Sequence, residues 1–201
     1  MSPLQHDALM KIFSLGAGHA AASMSRIVTD EVLISARSVA LLPHIEAALP
    51  MSSNERRRLC AITQKFSGIF NTEAILLFRE FQARDIVRLM TGQAQATEAP
   101  SDLEQEAISE IGNIILNACM GALAIATSRP LAGSLPACHI GAGHNLLAEA
   151  GAGNGNSVLT LKFTFVIERC QADGEILFLL DPAALVDLRA CLNLYLARMA
   201  T

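Results

Sequence analysis

Apolar residues recur at helical spacing through residues 7–28 and again from about 103 to 126, while the stretches between and after them carry short runs of branched apolar residues. Residues 7–28 predict a helix in which Gly16-Ala17-Gly18 lowers local propensity and admits close packing. EVLISARSVALL, residues 31–42, predicts a strand. Pro43 and Pro50 flank an irregular or short helical connection, and residues 59–66 and 69–78 predict a β-pair joined near Ser67-Gly68. A helix over 81–90 ends at Thr91-Gly92, as a glycine C-cap ends one. The small, polar, proline-containing segment 92–102 reads as a join. Ser101 and Glu104 then fit the S-x-x-E box that opens a helix. After that helix the order repeats. Residues 131–140 predict a strand entered from Pro130, a short helix follows near 144–150, and 158–167 with 175–180 predict a second β-pair. Pro182 stands at the first position of a final helix over 183–199.

The two long helical stretches align without a gap. DALMKIFSLGAGHAAASMS (7–25) matches EAISEIGNIILNACMGALA (106–124) at an offset of 99 (106 − 7). The hydrophobic pattern is shared, but Glu110 and Asn113 of the second copy are Lys11 and Ser14 in the first. The whole predicts an α+β fold with a pseudo-two-fold internal duplication, helices packed on a largely antiparallel β-sheet. Neither half has enough faces to bury alone, so one domain over 1–201, made of repeats at about 1–95 and 100–201, is expected, with one working site.

Composition narrows the class. The chain is 52% hydrophobic and 17% charged, as in a well-packed soluble protein. No uninterrupted apolar run approaches the roughly 20 residues of a membrane span. MSPLQHDALMK lacks the basic and apolar regions of a signal peptide, so a cytoplasmic location without membrane attachment is expected. Net charge is −4 and the one dense basic run is Arg56-Arg57-Arg58, which argues against nucleic acid as a partner. Five cysteines (60, 119, 138, 170 and 191) are widely spaced, with no C-x-x-C pair and no Cys/His cluster. They read as buried free thiols, without disulfide framework or metal site.

On the second long helix, Ile108, Ile111, Ile115, Ala118, Cys119, Ala122 and Ala126 gather on one side. Glu106, Glu110, Asn113 and Asn117 fall within an arc of roughly 60° opposite. Such a stripe could be only the wetted face of an amphipathic helix. A wetted face favours Ala, Glu, Lys or Arg, however, and Gly112-Asn113 gives up about 1 kcal/mol of propensity. Close packing at Gly112, or use of the Asn amide, would answer that cost. The Gly-rich strings at 141–145 and 151–156 lack P-loop context and read as turns, and no serine sits in a nucleophile elbow.

SEIGNI, with Glu110 and Asn113 and with Pro136 following after 22 residues (114–135), resembles the signature of the CheC/CheX/FliY chemotaxis phosphatases. SLGAGHAAASMS (14–25) resembles the corresponding first repeat, and AILLF (74–78) with VRLMTG (87–92) extends the likeness over most of the chain. The resemblance implies a CheC-like phosphatase that removes the aspartyl phosphate from a CheY-like response regulator of two-component signalling. Asn113 would hold the attacking water and Glu110 would dock on a lysine of the regulator, with Glu106 and Asn117 assisting contact. No cofactor of its own is implied, the Mg²⁺ residing on the regulator. In the first repeat Asp7 is retained, but Lys11 would repel that lysine and Ser14 is too short to replace the amide, so the first site is expected to be inactive. A binding module for a phosphorylated receiver or for the deamidase CheD is the alternative. A flagellar-switch component ranks behind both, since the chain leaves no room for the additional switch domain of such proteins.

Overall fold

A computed structural model describes residues 1–28, 30–43, 58–91, 101–142, 157–167 and 170–200. Among them the elements run α1 (Pro3–Met24), β1 (Val32–Pro43), β2 (Arg58–Gly68), β3 (Thr72–Arg79), α2 (Glu80–Thr91), α3 (Asp102–Thr127), β4 (Leu131–Gly133), β5 (Ala137–Ala142), β6 (Ser157–Ile167), β7 (Cys170–Leu180) and α4 (Pro182–Met199). The expected connections and short helix at 44–57, 92–100 and 144–150 lie outside the described residues.

The two long helices open alike. The hydroxyls of Ser2 and Ser101 accept from the N–H groups of Gln5 and Glu104, whose side chains accept in return from the cap N–H groups. α1 therefore starts at Pro3, earlier than the apolar periodicity alone predicts. Adding 99 to the first residues of α1, β1 and β2 (3, 32 and 58) gives those of α3, β4 and β6 (102, 131 and 157).

All described strand pairs are antiparallel, in the order β1-β6-β7-β3-β2-β4, with β5 also on β2. The pairing exchanges the two halves. β1 lies along β6, while β4 and β5 lie along β2, and β3 and β7 meet at the centre.

Two strands differ from expectation. The single strand expected over 131–140 is broken into β4 and β5, because Pro136 has no N–H to offer the ladder with β2. The matching place in β1 is a register shift between Ala36 and Ser38. β7 begins at Cys170, ahead of the expected 175. Its first residues alternate exposed Gln171 and Asp173 with buried Ala172 and Gly174. A Cβ at Gly174 would stand 2.2 Å from the Phe163 ring, so that glycine is there for packing and not for a turn.

The main core lies between helices and sheet. Phe13 of α1 stacks on Phe178 of β7 with centroids 5.4 Å apart. A smaller cluster of Ala61, Ile75, Leu77, Val158 and Leu177 occupies the alternate positions of the same strands, hence the other face. α1 and α3 touch through Gly16, where a Cβ would come within 2.8 Å of the Cys119 Cα. α3 is long and apolar enough to cross a membrane on length and composition. Here those apolar residues are spent on α1 and the sheet: Ile108, Ile111, Ile115, Leu116, Cys119 and Met120 are all buried.

Candidate functional site

The polar stripe of α3 is turned away from that core. Glu106, Glu110 and Asn117 are exposed and Asn113 is half-buried. Between them Gly112 faces inward, and a Cβ on it would lie 2.6 Å from the Cγ2 of Ile62 on β2. Close packing thus explains the glycine, and it sets α3 low enough on β2 for Asn113 to reach a strand residue.

That residue is Gln64, 3% exposed and two positions along β2 from Ile62. Its Nε2 donates to the Ser134 carbonyl at 2.7 Å and to Asn113 Oδ1 at 3.4 Å. Asn117 Nδ2 donates to the Asn113 carbonyl at 2.8 Å and to Asn113 Oδ1 at 2.6 Å. Backbone carbonyls can only accept, so they fix which way the Gln64 and Asn117 amides face. Both amides then present donors to Asn113, which fixes its carboxamide in turn. Oδ1 points inward, and Nδ2 points outward, 3.5 Å from Glu110 Oε2.

Ser134 belongs to the break between β4 and β5. Its N–H donates to the Lys65 carbonyl and its hydroxyl accepts from the Lys65 N–H, so two hydrogen bonds tie the break to β2 at this residue. Pro136, at the far side of the break, lines a groove of about 410 Å³ together with Val87, Leu103, Ala107, Glu106 and Glu110. An apolar hollow therefore adjoins the carboxylates of the stripe. A larger hollow of about 620 Å³, lined by Lys65, Thr72, Ser134 and Asp181 among others, includes none of the sequence-predicted site residues.

The four residues expected on α3 are brought together, and they recruit two that sequence reading missed, Gln64 and Ser134. A signal existed for the first. At the 99-residue offset Gln64 corresponds to Phe163, so a buried strand position is polar in one half and aromatic in the other.

On α1 the counterparts do not form such a cluster. Asp7, Lys11 and Ser14 are exposed. Ser14 Oγ donates to the Met10 carbonyl at 2.7 Å and is occupied by its own helix, while Asp7 lies 3.5 Å from His6 Nδ1. Among the described residues no three His, Cys, Asp or Glu side chains converge as metal ligands would.

No family model matches the sequence. In structure the chain is similar to FliY of Thermotoga maritima, with a TM-score of 0.78 at 14% identity over 97% of this chain and 98% of that one. It is similar to the FliM middle domain of H. pylori, with a TM-score of 0.69 at 11% identity over 96% and 99%. The chemotaxis protein CheX of Desulfovibrio desulfuricans matches with a TM-score of 0.50 at 14% identity over 84% and 99%. The chain has the fold these chemotaxis and flagellar proteins share.

Proposed function

We propose that the chain hydrolyses the aspartyl phosphate of a CheY-like response regulator at a single site on α3. The observation that carries this reading is the Asn113 carboxamide, held from behind by Gln64 and Asn117 and presented beside Glu110 on an exposed face.

The chemistry asks little of the phosphatase. An acyl phosphate is already reactive, and the regulator supplies Mg²⁺ and its own cationic groups, so the missing part is a water held in line with phosphorus. Asn113 enters beside the phosphoryl group, and Nδ2 donates to the water while leaving a lone pair directed at phosphorus. The water adds, the bond from phosphorus to the aspartate oxygen breaks, and carboxylate and inorganic phosphate separate. Glu110 pairs with a lysine of the regulator, and Glu106 and Asn117 border the contact. A carboxylate–lysine pair here fixes register more than it adds affinity.

The test is the decay of a phosphorylated regulator timed with wild type, Asn113→Ala and Glu110→Lys. Wild type should shorten its lifetime, and both variants should leave it near the intrinsic decay. A wild-type protein that leaves the lifetime unchanged sinks the reading.

A second reading is favoured by the likeness to the FliM middle domain, which by TM-score exceeds that to CheX. A FliM of H. pylori forms a complex with FliG, and this chain would likewise be a binding module. It would engage a phosphorylated receiver, CheD or a switch protein without hydrolysis. Phosphorylation-dependent binding with an unchanged lifetime is its outcome.

A further inference from the structure

Two of the five cysteines are not isolated. Cys60 on β2 and Cys138 on β5 sit diagonally across one ladder, Cys60 opposite Ile140 and Cys138 opposite Ile62, and their Sγ atoms are 3.8 Å apart. We propose that Cys138 and Cys60 are a hydroperoxide-reactive pair that closes to a disulfide between β5 and β2. The proposal stands apart from the phosphatase reading.

The two thiols are unequal in the way such a pair requires. Cys60 is fully buried, whereas Cys138 is partly exposed. The hydrogen bond between them lowers the Cys138 pKa against the opposing effect of burial, and a hydrogen bond with Ser109 of α3 lowers it further. The same bond and burial push Cys60 well above the usual thiol range. Cys138 is therefore the more accessible and more readily ionised thiol, with Cys60 buried behind it. The other three lack this arrangement: burial alone pushes Cys119 up to about 12, and it also raises Cys170 and Cys191.

The chemistry closes without further groups. The Cys138 thiolate attacks the distal oxygen of a hydroperoxide, the O–O bond breaks, and a sulfenic acid forms as hydroxide or alkoxide leaves. The Cys60 sulfur then attacks the Cys138 sulfur, the S–O bond breaks, and the Cys60 proton leaves with that oxygen as water. Two thiols are oxidised and one peroxide is reduced. The sulfurs must approach by about 1.8 Å to reach bonding distance. β5 pairs only with β2 in the described sheet and joins β4 through the break at Pro136, so it can make that move without dragging a further strand.

The test is brief treatment of the folded protein with hydrogen peroxide, followed by thiol counting under denaturing conditions and peptide mapping. The count should fall from five to three, the map should show a Cys60–Cys138 link within one chain, and dithiothreitol should restore all five. In Cys60→Ala, peroxide should leave a dimedone-reactive sulfenic acid at Cys138. In Cys138→Ser, Cys60 should stay reduced. Should the Cys60 variant misfold, the wild-type map decides by itself. A full thiol count after peroxide, a disulfide elsewhere, or sulfinic acid at Cys138 in place of the link would each overturn the proposal.

Discussion

Asn113 has a carboxamide whose two ends are not interchangeable, because two neighbours of fixed polarity occupy its oxygen. On the proposed phosphatase reading, Asn113→Ala should therefore reduce regulator dephosphorylation by about 100-fold or more, the scale expected for loss of a water-positioning group. Gln64 offers a sharper experiment, since at 3% exposure it cannot touch the regulator. Gln64→Leu should lower kcat and leave the KM for phosphorylated regulator nearly unchanged, whereas an equal effect on both would mean that the site has collapsed. Glu175 makes a prediction about stability. It lies between Leu77 and Lys162 within the sheet, and burial raises its carboxyl pKa while Lys162 offsets part of the rise. A carboxyl raised on folding costs stability as pH climbs through its unfolded value, because the unfolded chain loses that proton first. Glu175→Gln should accordingly raise Tm at pH 7, with the gain shrinking toward pH 4. A gain independent of pH would assign the effect to packing.

At the scale of the element, α3 is positioned by two contacts that exclude a methyl group: Gly112 on Ile62, and Gly16 of α1 against the backbone of α3 at Ala118 and Cys119. Overpacking costs about 1–3 kcal/mol, and it should cost more at Gly16, where backbone has to yield, than at Gly112, where a side chain can. Thermal melts of the two alanine variants check the order, and Ile62→Val should recover part of the Gly112→Ala loss. Elements governed by local rules were legible in the chain. The Ser101–Glu104 box, the Pro182 helix start and the stripe from Glu106 to Asn117 all follow from spacing. The amide orientation of Asn113 was not legible, since it depends on Gln64, 49 residues away and on another element. Nor was the early start of β7, where polar alternation and Gly174 mask a strand whose face is completed by Phe163.

At the scale of the whole molecule, the surroundings of α1 and α3 differ in more than the surface pair. At the 99-residue offset Gln64 becomes Phe163, Asn117 becomes Gly18 and Pro136 becomes Arg37. Phe163 is buried against Phe78, and Arg37 Nε donates to Thr164 at 2.9 Å. Restoring only the surface pair would thus leave an amide with nothing behind it. Lys11→Glu with Ser14→Asn, placed in an Asn113→Ala background, should stay inactive in the regulator-decay assay. Recovery of activity would show that the supporting residues are dispensable.

The exchange of opening strands has a mechanical meaning as well. β1 closes on β6 and β4–β5 close on β2, so each half holds the other as two hooked hands do. A single cut introduced between residues 92 and 100 severs the backbone but none of these ladders. The two fragments should elute together from a sizing column and part only in denaturant, and separation without denaturant would show that the crossed ladders alone do not hold the halves together.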